Sequence, residues 1–246
     1  MPTLTDQAIC IRQWDYSETS QTICLLTRQH GLMRGIAKGS KRPNAPFSGG
    51  FDVLTMGEIT AITKPSTDLA TLTQWQLQRV FRHVHEHLAA NRAALYMADA
   101  VQRILTDHDP HPAVFDGMAA ALEALADHVD LGLLAFQWGL LSSGGFTPVI
   151  DRDAVTGQPF PADAETLAFS PQAGGLVLDT GEGDRWRVRV ATVHALRTIA
   201  AGETPTQDQE VIQRANRLLA AYLREIIGRE TAAMRWAFSD LPGSFH

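Results

Sequence analysis

The chain has 246 residues, 45% of them hydrophobic and 20% charged, with a formal net charge of −6 at neutral pH. Those proportions are close to the average for globular domains and exclude disordered, collagen-like and fibrous classes; the length allows one large domain or two modest ones. No apolar run reaches the ~18 residues that a membrane-spanning helix requires, and the opening residues lack the basic and apolar regions of a signal peptide. Two cysteines, Cys10 and Cys24, are too few for a disulfide framework or a four-thiolate zinc site. Two buried thiols in a reducing, cytoplasmic setting are expected, with a bridge between neighbouring strands as the alternative.

The first eighty residues read as strands. Ile9 to Trp14, Thr22 to Thr27, Leu32 to Lys38, Val53 to Thr63 and Ala70 to Leu77 are β-rich runs separated by turn residues. Five short strands in this space predict a small closed barrel over 1–80. The period then changes to that of a helix, with Phe81, Val84, Leu88, Leu95, Ala98, Val101 and Leu105 on one stripe. Further helices are expected from Pro112 to Asp127 and from Leu131 to Ser142, the latter stopped by Gly144 and Gly145. Residues 146–189 are rich in Pro, Gly and Asp and read as irregular; a short helix ending near Gly202 follows. The clearest helix is the last. Thr206 and Gln209 have capping-box spacing, and Val211, Ala215, Leu218, Leu219, Tyr222, Ile226 and Ile227 form its apolar face. A helical domain over 81–246 is therefore expected.

Charge divides the chain as the periodicity does. Residues 1–82 hold nine Lys and Arg against six Asp and Glu, so the acidic excess belongs to the remainder. Within 28–42, RQHGLMRGIAKGSKR, there are five cations and no acid. A local patch of this kind can attract a polyanion even on an acidic protein.

The text DYSET at 15–19, LLTRQHGLMRGIAKGSKRP at 25–43 and ATLTQ at 70–74 resembles the RecO family of recombination mediators. PVIDRDAVTGQPF at 148–160, FSPQAGGLVL at 169–178 and the Arg-rich final helix fit in order, so the likeness covers nearly the whole chain. Its most specific part is the G-x-A-K-G-x-x-R core at Gly35, Ala37, Lys38, Gly39 and Arg42. The resemblance implies an α+β chain with an N-terminal OB-fold β-barrel and an all-α helical domain. It implies a non-enzymatic mediator that binds single- and double-stranded DNA and anneals complements. With RecR it would load RecA onto DNA coated by single-strand-binding protein, whose acidic C-terminal tail is a further implied partner. A cytoplasmic, nucleoid-associated location and no membrane contact go with this. Many relatives carry two C-x-x-C pairs in the irregular region; the matching places here are Asp153, Thr156, Leu178 and Gly181. Tetrahedral zinc needs four ligands, and Leu and Gly side chains offer none. The expectation is therefore a zinc-finger-like insertion without cysteines, metal or other cofactor, held by packing of Phe160, Leu167 and Phe169.

Phosphates recur along a strand, so a binding surface needs cations along a track. Arg28, Arg34, Lys38, Lys41 and Arg42 are the DNA-binding candidates; the plain alternative is a strand edge protected by Lys and Arg. Trp14, Tyr16, Phe47 and Phe51 are available as stacking platforms, against ordinary core or turn packing. On the final helix, Arg217, Arg224 and Arg235 fall within about 20° of one direction, opposite the apolar face. Arg217 and Arg224 are candidates there, against a merely wet helix face. Arg92 and Arg103 are candidates for holding an acidic tail. His83, His85 and His87 with Glu86 suggest a metal, but the H-E-x-x-H spacing fails and a solvated face is the better reading. VIDRDAV at 149–155 mimics the aspartyl-phosphate motif of HAD-type phosphatases, with Asp151 as nucleophile and Asp153 as general acid. No Lys follows Lys64 to hold the phosphate, and no second acidic pair is suitably placed. Phosphate-loop, dinucleotide and nucleophile-elbow signatures are absent. The rivals to a DNA mediator are therefore an OB-fold RNA-binding or translation protein and, behind it, the phosphatase.

Overall fold

The computed structural model describes residues 2–48, 50–64, 67–164, 166–206, 208–238 and 241. It forms two compact units, Met1–Ala126 and Asp127–His246.

The first unit begins with β1 (Thr3–Asp15), β2 (Gln21–Thr27) and β3 (Gly31–Ala37), each antiparallel to its neighbour. A two-residue β4 (Phe47–Ser48) precedes β5 (Thr55–Lys64) and β6 (Thr67–Val80). The order is β3-β2-β1-β5-β6, and β6 returns to pair with β3 in parallel, which closes the sheet into an OB-like barrel. Inward alternation fills it with Ala8, Cys10, Ile23, Leu25, Met33, Ile59, Leu72 and Trp75. Phe51 packs between Phe47 and Trp75, with ring centroids 5.3 and 5.1 Å away. The closing seam depends on Gly35: a Cβ there would lie 2.5 Å from Leu72 Cδ2 and 3.2 Å from the Ala70 carbonyl.

The change from strand to helix falls at Val80 and Phe81, and α1 (Arg82–Glu86), α2 (Leu88–Ile104) and α3 (Pro112–Ala124) follow. The compact unit nevertheless runs past the expected boundary at 80 to Ala126, because α2 lies against β1 and α3 against β2. Outward-facing Ile9, Cys24 and Leu26 are therefore as buried as the inward residues. Cys10 faces the barrel interior and pairs in register with Leu25, whereas Cys24 takes the opposite face. Both thiols are free, and burial pushes both pKa values up.

The second unit has α4 (Val129–Ser143), α5 (Val190–Ala200), α6 (Gln209–Ile227) and α7 (Ala232–Ala237). The stretch 146–189 is not irregular throughout. It contains β7 (Thr166–Ser170), β8 (Gly175–Leu178) and β9 (Trp186–Arg189) in an antiparallel sheet of order β8-β7-β9. The unit is thus not all-α, although helices dominate it. Packing here does involve Phe169, which stacks on Trp186 at 5.8 Å and meets Tyr222 edge-on at 5.1 Å. Gln137 and Asn216 form a buried 2.7 Å bond between α4 and α6. The capping box at Thr206 does not form: Asp208 is the N-cap of α6, and Gln209 reaches Asp130 instead.

Candidate nucleic-acid interface

Strand register sorts the basic residues of the first unit. Because Ile23 and Leu25 face the barrel interior, Thr22 and Cys24 face out. Arg12, Cys24 and Arg34 form one outward row, and Trp14, Thr22 and Ile36 form the next. A bulge between Cys10 and Arg12 puts Arg12 in this row. The Arg12 guanidinium lies 4.9 Å from the centre of the Trp14 ring, and it also bonds Gln102 on α2 at 3.2 Å. Beyond these rows, the loop after β3 folds onto the β1–β2 turn. Gly39 N–H donates to Ser20 Oγ at 3.0 Å and Lys41 N–H to the Thr19 carbonyl at 3.1 Å. That end of the barrel gathers Lys38, Lys41 and Arg42 beside the turn carrying Tyr16, with Trp14 one row away. Trp14 is 39% and Tyr16 65% exposed, whereas Phe47 and Phe51 are core residues and cannot serve as platforms.

The five candidates of 28–42 do not form one compact patch. Arg28 lies at the opposite end of β3 from Lys38, a separation of about 20 Å along a seven-residue strand. Arg28 forms a bidentate pair with Asp116 on α3, at 2.8 and 2.9 Å. Arg34 reaches Asp107 at 3.5 Å, and Lys41 reaches Asp15 at 2.6 Å. Lys38 and Arg42 are exposed and make no ion pair among the described residues. Exposed pairs contribute little, a median of about 0–1 kcal/mol, so phosphate oxygens can replace such carboxylates. Five cations against three carboxylates leave the run with a net positive field.

The second basic track needs correction. Gly228, with φ of 77°, ends α6, so Arg235 belongs to the separate α7 and the three-arginine stripe does not exist. Arg224 is only 6% exposed and bonds Glu225, which removes it from the solvent face assigned by angle alone. Arg217 does line a surface cleft of about 570 Å³ with Arg187, Arg189 and Arg214. Arg92 is exposed, and Arg103 is held by both carboxylate oxygens of Asp99 at 3.0 Å.

The metal and phosphatase readings meet definite geometry. His83 Nε2 lies 2.6 Å from the Leu122 carbonyl, and no cluster of three metal-type ligands occurs among the described residues. Asp153 is buried, and its carboxylate accepts N–H bonds from Val155 (3.0 Å), Thr156 (2.8 Å) and Leu178 (2.9 Å). Burial alone would raise its pKa; the N–H donors of Thr156, Leu178 and Val155 more than offset this and hold it below the usual carboxylate range. An ionised carboxylate bound this way has no proton to give as a general acid. It ties the 153–156 turn to β8, the very segments where the two C-x-x-C pairs would stand. This crosslink, with Arg197 donating twice to the Ile150 carbonyl at 3.0 and 2.9 Å, supplements the apolar packing.

The fold is thus that of an OB-like barrel with its own helices, followed by a mainly helical unit with a small sheet. Residues 1–81 match the family described as Recombination protein O N terminal, and residues 85–235 match Recombination protein O C terminal. The chain belongs to the RecO family of DNA repair and recombination proteins. It is 33% identical over 199 residues to the DNA repair protein RecO of Rhodopirellula baltica, covering 79% of this chain and 74% of that one. The protein of the same name from Salinibacter ruber is 31% identical over 240 residues, covering 95% and 88% of the two chains. One from Anaeromyxobacter is 27% identical over 239 residues, covering 93% of each. No helix among the described residues is long and apolar enough to cross a membrane.

Proposed function

We propose that this chain binds DNA strands on the outer face of β1, β2 and β3, at the end where the β1–β2 turn meets the loop after β3. Trp14 and Tyr16 offer base-stacking surfaces; Arg12, Arg34, Lys38, Lys41 and Arg42 offer phosphate contacts, with Arg28 extending the track along β3. The observation that carries this reading is the exposed Trp14 with Arg12 over its ring, in register beside a strand whose next outward cations are Arg34 and Lys38. Family membership supports the rest: a non-enzymatic mediator that anneals complementary strands and acts with RecR to pass DNA from single-strand-binding protein to RecA in the cytoplasm. The phosphatase reading loses its acid at Asp153, whose carboxylate is engaged by backbone N–H groups.

The test is a salt-titrated binding assay with labelled DNA and RNA oligonucleotides. Arg34→Glu with Lys38→Glu should weaken DNA binding and lower the log–log salt slope by about 1.4, roughly 0.7 for each phosphate contact on a single strand. An unchanged slope would remove both residues from the track. Consistently tighter binding of RNA would favour the translation-type reading.

A further inference from the structure

Beyond the barrel, the second unit carries a site of its own. The cleft described above is walled by β9 on one side and α6 on the other. Arg187 and Arg189 are two residues apart on a strand, so both project from one face. Arg214 and Arg217 are three apart on a helix, so they also share a face. All four arginines line the one opening, which β9 borders as the edge strand of its sheet.

The charges do not cancel. Arg187 bonds Asp179 at 2.7 Å and Arg214 bonds Glu210, but Arg189 and Arg217 have no ion pair among the described residues. Arg214 Nε is buried without a hydrogen-bond partner. Helix α5 begins directly after Arg189 with no side-chain cap, and Thr192 of its first turn lines the opening. Unpaired guanidinium groups beside the start of a helix make a setting for oxyanions.

The apolar lining identifies the occupant. Val188 and Leu218 are each only 4% exposed, so they offer almost no free surface to the side chains of an acidic, apolar peptide. Trp186 lines the cleft from the face of β9 opposite Arg187 and Arg189; it is partly buried, and its ring is held parallel to Phe169 at 5.8 Å and 8°. A rigid aromatic edge among several arginines suits a base with its flanking phosphates, and a repeating anion uses several guanidinium groups at once.

We infer that this arginine cleft is a second nucleic-acid site, which takes the sugar-phosphate backbone of a single strand and packs one base against Trp186. The inference rests on the DNA-binding reading above and deepens it by assigning residues 186–189 and 214–217 to the same class of ligand.

The experiment uses the full chain and a fluorescein-labelled oligothymidine, titrated at several salt concentrations. Arg189→Ala with Arg217→Ala should lower the salt slope by about 1.4, and Arg189→Lys with Arg217→Lys should restore it. A circular-dichroism melt of each variant separates loss of site from loss of fold. Independently of any variant, ultraviolet crosslinking of an iodouracil-substituted strand to the unmodified chain should label Trp186 or its neighbours. An unchanged slope overturns the inference, and so does crosslinking confined to the barrel. Binding of an acidic apolar peptide that the double Ala variant abolishes, with DNA affinity intact, would make the cleft a peptide seat and overturn it as well. Loss of DNA binding on Lys38→Glu without any effect of the arginine pair would sink this inference alone. Failure of the unmodified chain to bind oligonucleotide would sink the barrel reading too.

Discussion

Residues 28–42 and residues 146–189 are both rich in turns and charge, yet they are held by opposite means. The first stretch keeps its charges at the surface. Arg28 and its partner Asp116 are about half exposed, at 46% and 53%, and Lys38 faces solvent. Its backbone is fixed by the barrel ladder, so the side chains are free to exchange partners. The second stretch uses a charge internally. Asp153 is 5% exposed and holds three backbone N–H groups from two segments. A surface cation serves recognition because little is lost when its partner changes; a buried carboxylate serves architecture because its donors have nowhere else to turn.

The largest expected effect tests the buried half of that contrast. Asp153→Ala strands the N–H groups of Val155, Thr156 and Leu178, and should destabilise the second unit by about 3 kcal/mol, read as a lowered denaturation midpoint. Asp153→Asn keeps an acceptor and should lose less. Because the folded pKa of Asp153 is depressed, its stabilisation is complete above the unfolded value of about 3.9 and is lost as pH falls through the folded value. The acid limb of the stability profile should therefore be flatter in Asp153→Ala. Equal loss in the Ala and Asn variants would show that packing, not the carboxylate, closes the segment.

The next effect tests the exposed half. Trp14→Ala should lower the denaturation midpoint only modestly, since the residue is 39% exposed, yet weaken single-strand binding by about 2 kcal/mol, roughly thirtyfold. Full affinity in this variant would leave the barrel face with cations alone and reduce it to a non-stacking electrostatic surface.

The contrast also explains what could be read from the chain. The strand-to-helix change at Val80 was legible because the hydrophobic period shifts from two to 3.6 there. Strands β7, β8 and β9 have five, four and four residues, too few for a period to emerge between Gly and Asp turns. Arg12 was missed because the bulge after Cys10 resets the alternation, which plain counting along the strand cannot detect. The basic run was visible, but its carboxylates were not: Asp116 lies 88 residues from Arg28 in sequence. Arg224 was misread for a related reason. A helical wheel gives the direction of a side chain, not what lies in that direction, and this one is buried.

The smallest effect probes whether a paired surface arginine still belongs to the recognition track. Asp116 lowers to below the usual carboxylate range through its bond and attraction to Arg28, yet both groups lie in water. Asp116→Ala should therefore leave the denaturation midpoint where it is. It frees the guanidinium, so DNA affinity should rise slightly, less than about threefold, with a salt slope steeper by up to about 0.7. Arg28→Ala should shift both quantities the other way. If neither variant alters binding, Arg28 lies off the recognition track, and the strand path ends at Arg34.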